Sequence, residues 1–143
     1  MITTPFQIAK KIGEILRKLY VNTGDFQAIA QICYTYEGKR EAVYINIGGS
    51  DPIVEKNQKQ LCETYLSQML KIKGRIKTSR AINKEVPFDS IVGAIKYPEG
   101  IVIVAANQGE YSIYEETIVE ALYQLKVIDD AWHQDVCREL GAH

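Results

Sequence analysis

The stretch that decides the fold is Ile91–Ala106, which reads Ile-Val-Gly-Ala-Ile-Lys-Tyr-Pro-Glu-Gly-Ile-Val-Ile-Val-Ala-Ala. Two apolar runs flank Tyr97–Gly100, where proline stands at the second turn position and glycine at the fourth. Proline presets φ for a type I or II turn, and glycine is favoured where the chain leaves the turn. Ile101–Ala106 contains no polar residue, which is typical of a strand covered on both faces. The stretch therefore predicts a β-hairpin at the centre of a buried sheet.

A second hairpin is predicted upstream of this one. Its arms, Gln27–Tyr36 and Glu41–Ile47, are rich in β-branched and aromatic residues, and Glu37–Arg40 joins them. The stretch Ile72–Lys77 alternates apolar and basic residues, with a glycine among them, and predicts a short edge strand. Together these segments predict an antiparallel sheet of four to five strands.

Three helices are predicted from their starts and their apolar spacing. Thr4–Gln7 has the pattern of a capping box, with proline at the first helical position. Asp51 is expected to cap the second helix, which proline opens. Ser112–Glu115 has the pattern of a second capping box and starts the last helix. Residues 129–130, both aspartate, offer a point where the last helix divides in two.

The whole chain, residues 1–143, is predicted to form a single α+β domain. The order is helix, hairpin, helix, edge strand, hairpin, helix, with the three helices packed on the sheet. A chain of 143 residues suffices for one core, and 46% apolar and 24% charged residues are ordinary globular values. Gly93 thins the first arm of the central hairpin, which predicts a β-bulge or a closely packed helix at that point.

The largest departure from an even charge distribution is a basic segment in the middle of the chain. No acidic residue occurs between Thr64 and Lys84. The segment is either an edge strand protected by lysines or a strip that binds phosphates or an acidic partner. No aromatic residue lies between positions 71 and 84, so bases have no stacking platform there. The candidate binding residues are Lys71, Lys73, Arg75, Lys77, Arg80 and Lys84.

The C-terminal part of the chain has the opposite bias. Positions 99 to 143 contain nine acidic residues and two basic ones. The formal net charge of the whole chain is -1, so the domain has no general electrostatic preference for nucleic acid or membrane. The uneven distribution predicts self-association, in which the basic segment of one copy meets the acidic last helix of another.

No catalytic site, metal site or cofactor is predicted. Cys33, Cys62 and Cys137 have wide spacings that give no disulfide framework. His133 and Cys137 are four residues apart and can reach one metal, but structural zinc needs two further ligands. A partly buried histidine beside a core cysteine is therefore expected. Gly48–Asp51 lacks the pattern of a phosphate-binding loop and is interpreted as a helix cap.

The sequence also predicts where the protein works. Met1–Phe6 lacks a basic region followed by an apolar run, so it does not resemble a signal peptide. No apolar stretch approaches the roughly 20 residues that span a bilayer. Three widely spaced cysteines fit a reducing compartment. We expect a cytoplasmic protein that does not associate with membranes.

The order of elements is similar, in topology, to that of the longin and roadblock interaction modules, in which helices flank an antiparallel sheet. That resemblance implies docking or dimerisation. The order also resembles the zinc-dependent nucleotide deaminases, which place a hairpin before a helix bearing metal-binding and acid/base residues. The helix after Gly49 has no His-Ala-Glu or Cys-Ala-Glu, and no Cys-x-x-Cys follows. The second resemblance therefore implies a scaffold without zinc chemistry.

These observations favour a non-catalytic protein-interaction or regulatory domain that forms oligomers. The chain has nine tyrosines, and tyrosine is favoured at interfaces because it buries area and keeps a polar tip. One alternative is a nucleic-acid-binding protein that uses residues 71–84. A second is a small-molecule-binding or enzymatic domain on a degenerate deaminase-like scaffold, with a pocket near Cys33, Tyr44 or Asn46.

Overall fold

The structure, a computed structural model, describes residues 3–20, 24–72, 77–79 and 91–141. These ranges contain one antiparallel sheet with helices on both faces, which confirms the predicted α+β class. Within them four helices replace the predicted three, because the last helix does divide in two near residues 129–130. In chain order the elements are α1 (Pro5–Leu19), β1 (Ala28–Tyr36), β2 (Lys39–Gly48), α2 (Pro52–Lys71), β3 (Val92–Tyr97), β4 (Gly100–Ala106), α3 (Tyr111–Gln124) and α4 (Asp130–Gly141).

The four strands lie in the order β2–β1–β4–β3, and each neighbouring pair is antiparallel. Both predicted hairpins are confirmed, and they join through β1 and β4, with Ala28 opposite Ala106 and Tyr34 opposite Gly100. The prediction that the Ile91–Ala106 hairpin forms the centre is therefore only half right. β4 is an interior strand of the sheet, whereas β3 is the last strand in the order, next to β4. The first six residues of β1 are as fully buried as β4, so these two strands share the centre.

Of the predicted edge strand Ile72–Lys77, the structure describes only the two ends: Ile72 is the C-cap of α2, and Lys77 begins a short paired segment, residues 77–79. Thr78 forms an isolated antiparallel bridge with Ile95 of β3. Two backbone hydrogen bonds of 2.7 and 3.0 Å flank this bridge and extend the pairing. The rest of the predicted strand, residues 73–76, lies outside the described residues. The described piece thus adds a short fifth segment beyond β3.

Each face of the sheet buries its own apolar cluster. On one face the strands pack against α1, α3 and α4, with Ile12 and Ile118 among the completely buried side chains. On the other face Ile29 and Ile103 pack against Cys62 and other side chains of α2. The result is a three-layer arrangement in which three helices cover one face and α2 covers the other.

Two predicted helix starts are confirmed by their hydrogen bonds. Thr4 Oγ1 accepts the backbone N–H of Gln7 at 3.2 Å, and Gln7 Oε1 accepts the backbone N–H of Thr4 at 2.7 Å. Asp51 Oδ1 accepts the N–H groups of Ile53 and Val54 at the start of α2. These side chains satisfy backbone donors that have no partner within the first helical turn.

The predicted capping box at Ser112–Glu115 is wrong. α3 begins at Tyr111 after Glu110, which makes no side-chain cap hydrogen bond. Glu115 is completely buried instead, and its Oε2 accepts the hydroxyl of Ser79 at 2.8 Å. The carboxylate therefore serves the contact between α3 and the sheet edge, which no local sequence pattern reveals.

The turn of the first hairpin is shorter than predicted. Tyr36 pairs with Lys39, so Glu37 and Gly38 alone form the turn. Both residues have positive φ, at 50° and 79°. A two-residue turn of this kind matches the right-handed twist of the strands, which explains why pairing continues to the turn.

α3 packs closely against Gly93, which confirms one of the two roles predicted for this glycine. A methyl group at Gly93 would lie 2.7 Å from the backbone nitrogen of Glu115 and 2.8 Å from Cβ of Tyr114. The β3–β4 pairing passes through Gly93 without a shift in register, so the alternative of a bulge is wrong. The glycine allows the start of α3 to rest directly on β3.

We predict that Gly93→Ala lowers the free energy of unfolding by about 2 kcal/mol, because the added methyl forces α3 away from β3. Urea denaturation measures the change. Gly24→Ala is the matched control, since a methyl there meets no atom within 4 Å, and it should stay within about 0.5 kcal/mol of the wild type. Equal stability of Gly93→Ala and Gly24→Ala would contradict the close packing.

Candidate functional site

The structure describes two of the six predicted binding residues, Lys71 and Lys77. Lys71 ends α2 and is exposed, whereas Lys77 is half-buried beside β3. The other four lie outside the described residues: Lys73, Arg75, Arg80 and Lys84. A basic binding strip therefore stays a prediction.

The segment 77–79 is held against the acidic helix α4 of the same chain. The Glu139 carboxylate accepts the backbone N–H of Lys77 at 2.9 Å and that of Thr78 at 3.0 Å. The Lys77 ammonium lies 5.9 Å from the centre of the Trp132 ring. Hydrogen bonds to a charged acceptor are stronger than neutral ones. At this point the segment contacts the acidic helix of its own chain, through backbone N–H groups.

A buried polar contact fixes the other end of the segment. Ser79 and Glu115 are both completely buried, and the Ser79 hydroxyl donates to the carboxylate. Ser79 Oγ also accepts the backbone N–H of Ala94 at 2.9 Å. A buried carboxylate is stable only when partners replace its hydration. This contact therefore ties the segment to both β3 and α3.

The residues proposed for a small-molecule pocket perform separate structural tasks. Asn46 Oδ1 accepts the backbone N–H of Gly48 at 2.9 Å and so belongs to the turn before α2. The Tyr44 hydroxyl donates to the Glu63 carboxylate, and burial together with this bond raises the pKa of Tyr44. Cys33 is buried, and burial raises the pKa of its thiol. Cys33 and Tyr44 pack between the sheet and α2, and both stay protonated at neutral pH.

His133 and Cys137 lie together on α4, but the expected core cysteine is wrong. Cys137 is exposed, and its Sγ lies 3.6 Å from His133 Nε2. The imidazole is half-buried because it stacks on Tyr123, with ring centres 3.9 Å apart. Within the described ranges, no three His, Cys, Asp or Glu side chains are grouped closely enough to hold a metal ion.

A groove opens where α1 begins and the two hairpin ends meet. We call it the tyrosine groove, because Tyr34, Tyr36 and Tyr97 line it together with Pro5 and Ile8 of α1. Its volume is about 620 Å³. Tyr36 is 60% exposed, whereas Tyr97 is 6% exposed. The lining thus combines aromatic and aliphatic side chains with three threonines, Glu99 and Lys126.

A second groove, the acidic groove, adjoins the first across the β3–β4 turn. Its volume is about 740 Å³. Glu99, Lys126 and Val127 line both grooves, so the two lie side by side. The remaining charged and aromatic side chains of the acidic groove are Tyr123, Asp129, Asp130, Trp132 and Asp135.

A third groove runs between α1 and α3, and we call it the helix groove. Ile15, Leu19 and Tyr20 line its α1 side, and its volume is about 520 Å³. Glu116 and Glu120 line its α3 side. Leu19 is 59% exposed, which is high for a large aliphatic side chain. The groove is therefore an apolar surface with carboxylates along one wall.

No sequence pattern predicted these grooves. One usable signal was the two-residue spacing of Tyr34 and Tyr36, which places both on one face of β1. No sequence pattern indicates that Glu99 lies near residues 129–135, because only tertiary folding brings the β3–β4 turn beside the α3–α4 connection.

We predict that only one of the three thiols reacts with iodoacetamide in the native protein. Cys137 is exposed, whereas Cys33 and Cys62 are buried. Burial raises the pKa of Cys62 to about 12, so about one molecule in ten thousand carries that thiolate at pH 8. Mass spectrometry should show one adduct in buffer and three in urea. Two rapid adducts in buffer, or one in the Cys137→Ser variant, would contradict the burial of the other two.

Comparison with known proteins gives no identity for this chain. No protein-family profile matches it. No curated protein and no solved structure matches it either. Among the helices that the structure describes, none is long and apolar enough to cross a lipid bilayer. The grooves, charges and hydrogen bonds of the structure are therefore the basis for a functional proposal.

Proposed function

We propose that the chain is a non-catalytic protein-interaction domain that associates with a second copy of itself. The observation that carries this proposal is the helix groove. Leu19 exposes 59% of its surface beside the half-buried Ile15 and Ile113. An exposed apolar surface rimmed by charged residues is typical of an interaction site.

The charges beside the helix groove favour a second copy as the partner. α1 contains four basic residues and one acidic residue, whereas α3 contains three acidic residues and no basic one. Two of those acidic residues, Glu116 and Glu120, are exposed on the groove wall. A two-fold axis across the groove would place α1 of each copy on α3 of the other, so that unlike charges meet twice.

The protonation states and hydrogen bonds of the described side chains support a non-catalytic role. The buried thiols and the Tyr44 hydroxyl are held protonated. The Glu63 carboxylate accepts the Tyr44 hydroxyl and the amide of Gln31, so it is engaged within the chain. The alternative of nucleic-acid binding by residues 71–84 stays a prediction, since four of its six residues lie outside the described ranges.

We predict that the wild-type protein sediments as a dimer at low salt and that Leu19→Asp sediments as a monomer. The new carboxylate removes the apolar contact and faces the glutamates of the partner copy. Sedimentation velocity measures both. Ile53→Asp is the matched control: Ile53 is 74% exposed but lies on α2, across the sheet, so this variant should remain a dimer.

A charge exchange tests the arrangement of the two copies. Glu120→Lys should weaken the dimer at least about tenfold, because a lysine then faces the basic α1 of the partner. Adding Lys18→Glu in the same chain should restore most of the affinity, since each contact occurs twice across a two-fold axis. A monomeric wild-type protein at low salt, or equal effects of Leu19→Asp and Ile53→Asp, would overturn the proposal.

A further inference from the structure

We propose that the tyrosine groove and the acidic groove form one binding site for an extended peptide that carries prolines at one end and basic residues at the other. This surface is distinct from the helix groove. The inference rests on the proposed function in treating the domain as a protein-interaction module. It adds the site and the chemistry of a second partner.

The strand register shapes the tyrosine groove. Tyr34 of β1 and Tyr97 of β3 both lie opposite Gly100 of β4, so the glycine separates the two tyrosines on one face of the sheet. Two strand spacings place their backbones about 10 Å apart. Tyr36, two residues after Tyr34, continues the aromatic wall into solvent. Proline-rich segments dock in aromatic-lined grooves because their polyproline II conformation is already extended.

Tyr97 supplies a hydrogen-bond donor to this groove. Its side chain is 6% exposed, and its hydroxyl makes no hydrogen bond with any residue in the described part of the chain, but the oxygen is not completely buried. A proline-rich peptide offers many carbonyl acceptors and few N–H donors, because proline lacks the N–H. A peptide carbonyl therefore suits the Tyr97 hydroxyl.

The acidic groove favours a cation. Its lining includes four carboxylates and one ammonium, that of Lys126, and the Asp135 carboxylate already pairs with Arg138 at 2.9 Å. The Glu99 carboxylate, at the junction of the two grooves, makes no hydrogen bond or ion pair with any of the residues that the structure describes. Asp129 and Asp130 use one oxygen each, for the Trp132 backbone N–H and the Tyr123 hydroxyl. The free oxygens are acceptors for guanidinium or ammonium groups.

The size of the combined site favours a peptide over a compact ligand. Each groove alone falls within the roughly 300–1,000 Å³ of small-ligand pockets, but the two joined exceed that range. The two grooves share Glu99, Lys126 and Val127 in their walls, so a peptide lying across these residues reaches both. A peptide that rises about 3.1 Å per residue follows such a path. Its prolines then lie among the tyrosines and its basic side chains among the carboxylates.

The probe for this site is the fluorescein-labelled synthetic peptide Pro-Pro-Leu-Pro-Pro-Arg-Lys-Arg, and fluorescence anisotropy measures its binding. We expect micromolar affinity at low salt. Replacing the three basic residues by glutamate should weaken binding at least about tenfold, because the acidic groove then repels the peptide. Replacing the prolines by alanine should weaken it about fivefold, because the preformed extended conformation is lost.

Two protein variants test the two halves separately. Tyr36→Ala should weaken binding about tenfold, as expected for an aromatic contact residue, and leave the salt dependence unchanged. Glu99→Gln should weaken binding about threefold and make the salt dependence shallower. Phe6→Ala is the control for Tyr36→Ala, because Phe6 is similarly exposed, at 63%, but does not line the groove. All three positions are exposed, and far-UV circular dichroism checks that each variant is folded.

This inference would be overturned by no binding of the basic peptide at low salt, by equal binding of the glutamate peptide, or by equal losses in Tyr36→Ala and Phe6→Ala. Equal binding of the alanine-substituted peptide would also overturn it, since contact would then be electrostatic alone. Self-association tests the helix groove and not this site. A monomeric protein that binds the peptide would support the peptide site and contradict the proposed dimer. A dimer that does not bind the peptide would support the dimer and contradict the peptide site.

Discussion

The pairing of β1 with β4 is the contact on which the rest of the structure depends. It joins two hairpins that lie far apart in sequence, and Gln27 and Asn107 close its end across 80 positions. The Gln27 backbone N–H donates to Asn107 Oδ1 at 2.8 Å, and the Asn107 N–H donates back to the Gln27 carbonyl at 3.0 Å. The Gln27 side chain also hydrogen-bonds the backbone of Asp51. One junction therefore sets both the register of the sheet and the start of α2.

The two faces of the sheet are covered in different ways. The face under α1, α3 and α4 is mainly apolar, and its buried polar contact is the Ser79–Glu115 hydrogen bond at the sheet edge. The face under α2 includes the buried Gln31 and Gln58, and the Oε1 atom of each has no hydrogen-bond partner among the described residues. Their amide nitrogens donate to Glu63 and to the Gln27 carbonyl. α2 is thus positioned by directional polar contacts as well as by the packing of its apolar side chains.

Local patterns revealed the elements, whereas contacts between distant segments stayed hidden. The starts at Thr4 and Asp51 were predictable because a cap involves neighbours within three residues. Ser112–Glu115 carried the same pattern, yet Glu115 is recruited by Ser79, and a tertiary contact of that kind overrides a local one. The centre of the sheet was misplaced for a related reason: buried strands look alike in sequence, and hydrophobicity does not say which of them pair. Each groove combines residues from at least two elements, so no single stretch of sequence indicates it.

The hydrogen bonds from the backbone of Lys77 and Thr78 to the Glu139 carboxylate affect how the protein unfolds locally. α4 buries only Val136 and Leu140 of its described residues, so little apolar surface opposes its detachment. Whenever α4 lifts, the two amides at positions 77 and 78 lose their acceptor in the same event. These amides and those of α4 belong to one cooperative unit, and they should exchange with solvent deuterium together, well before the amides of β4. A local fluctuation at the C-terminal helix thereby reaches the edge of the sheet.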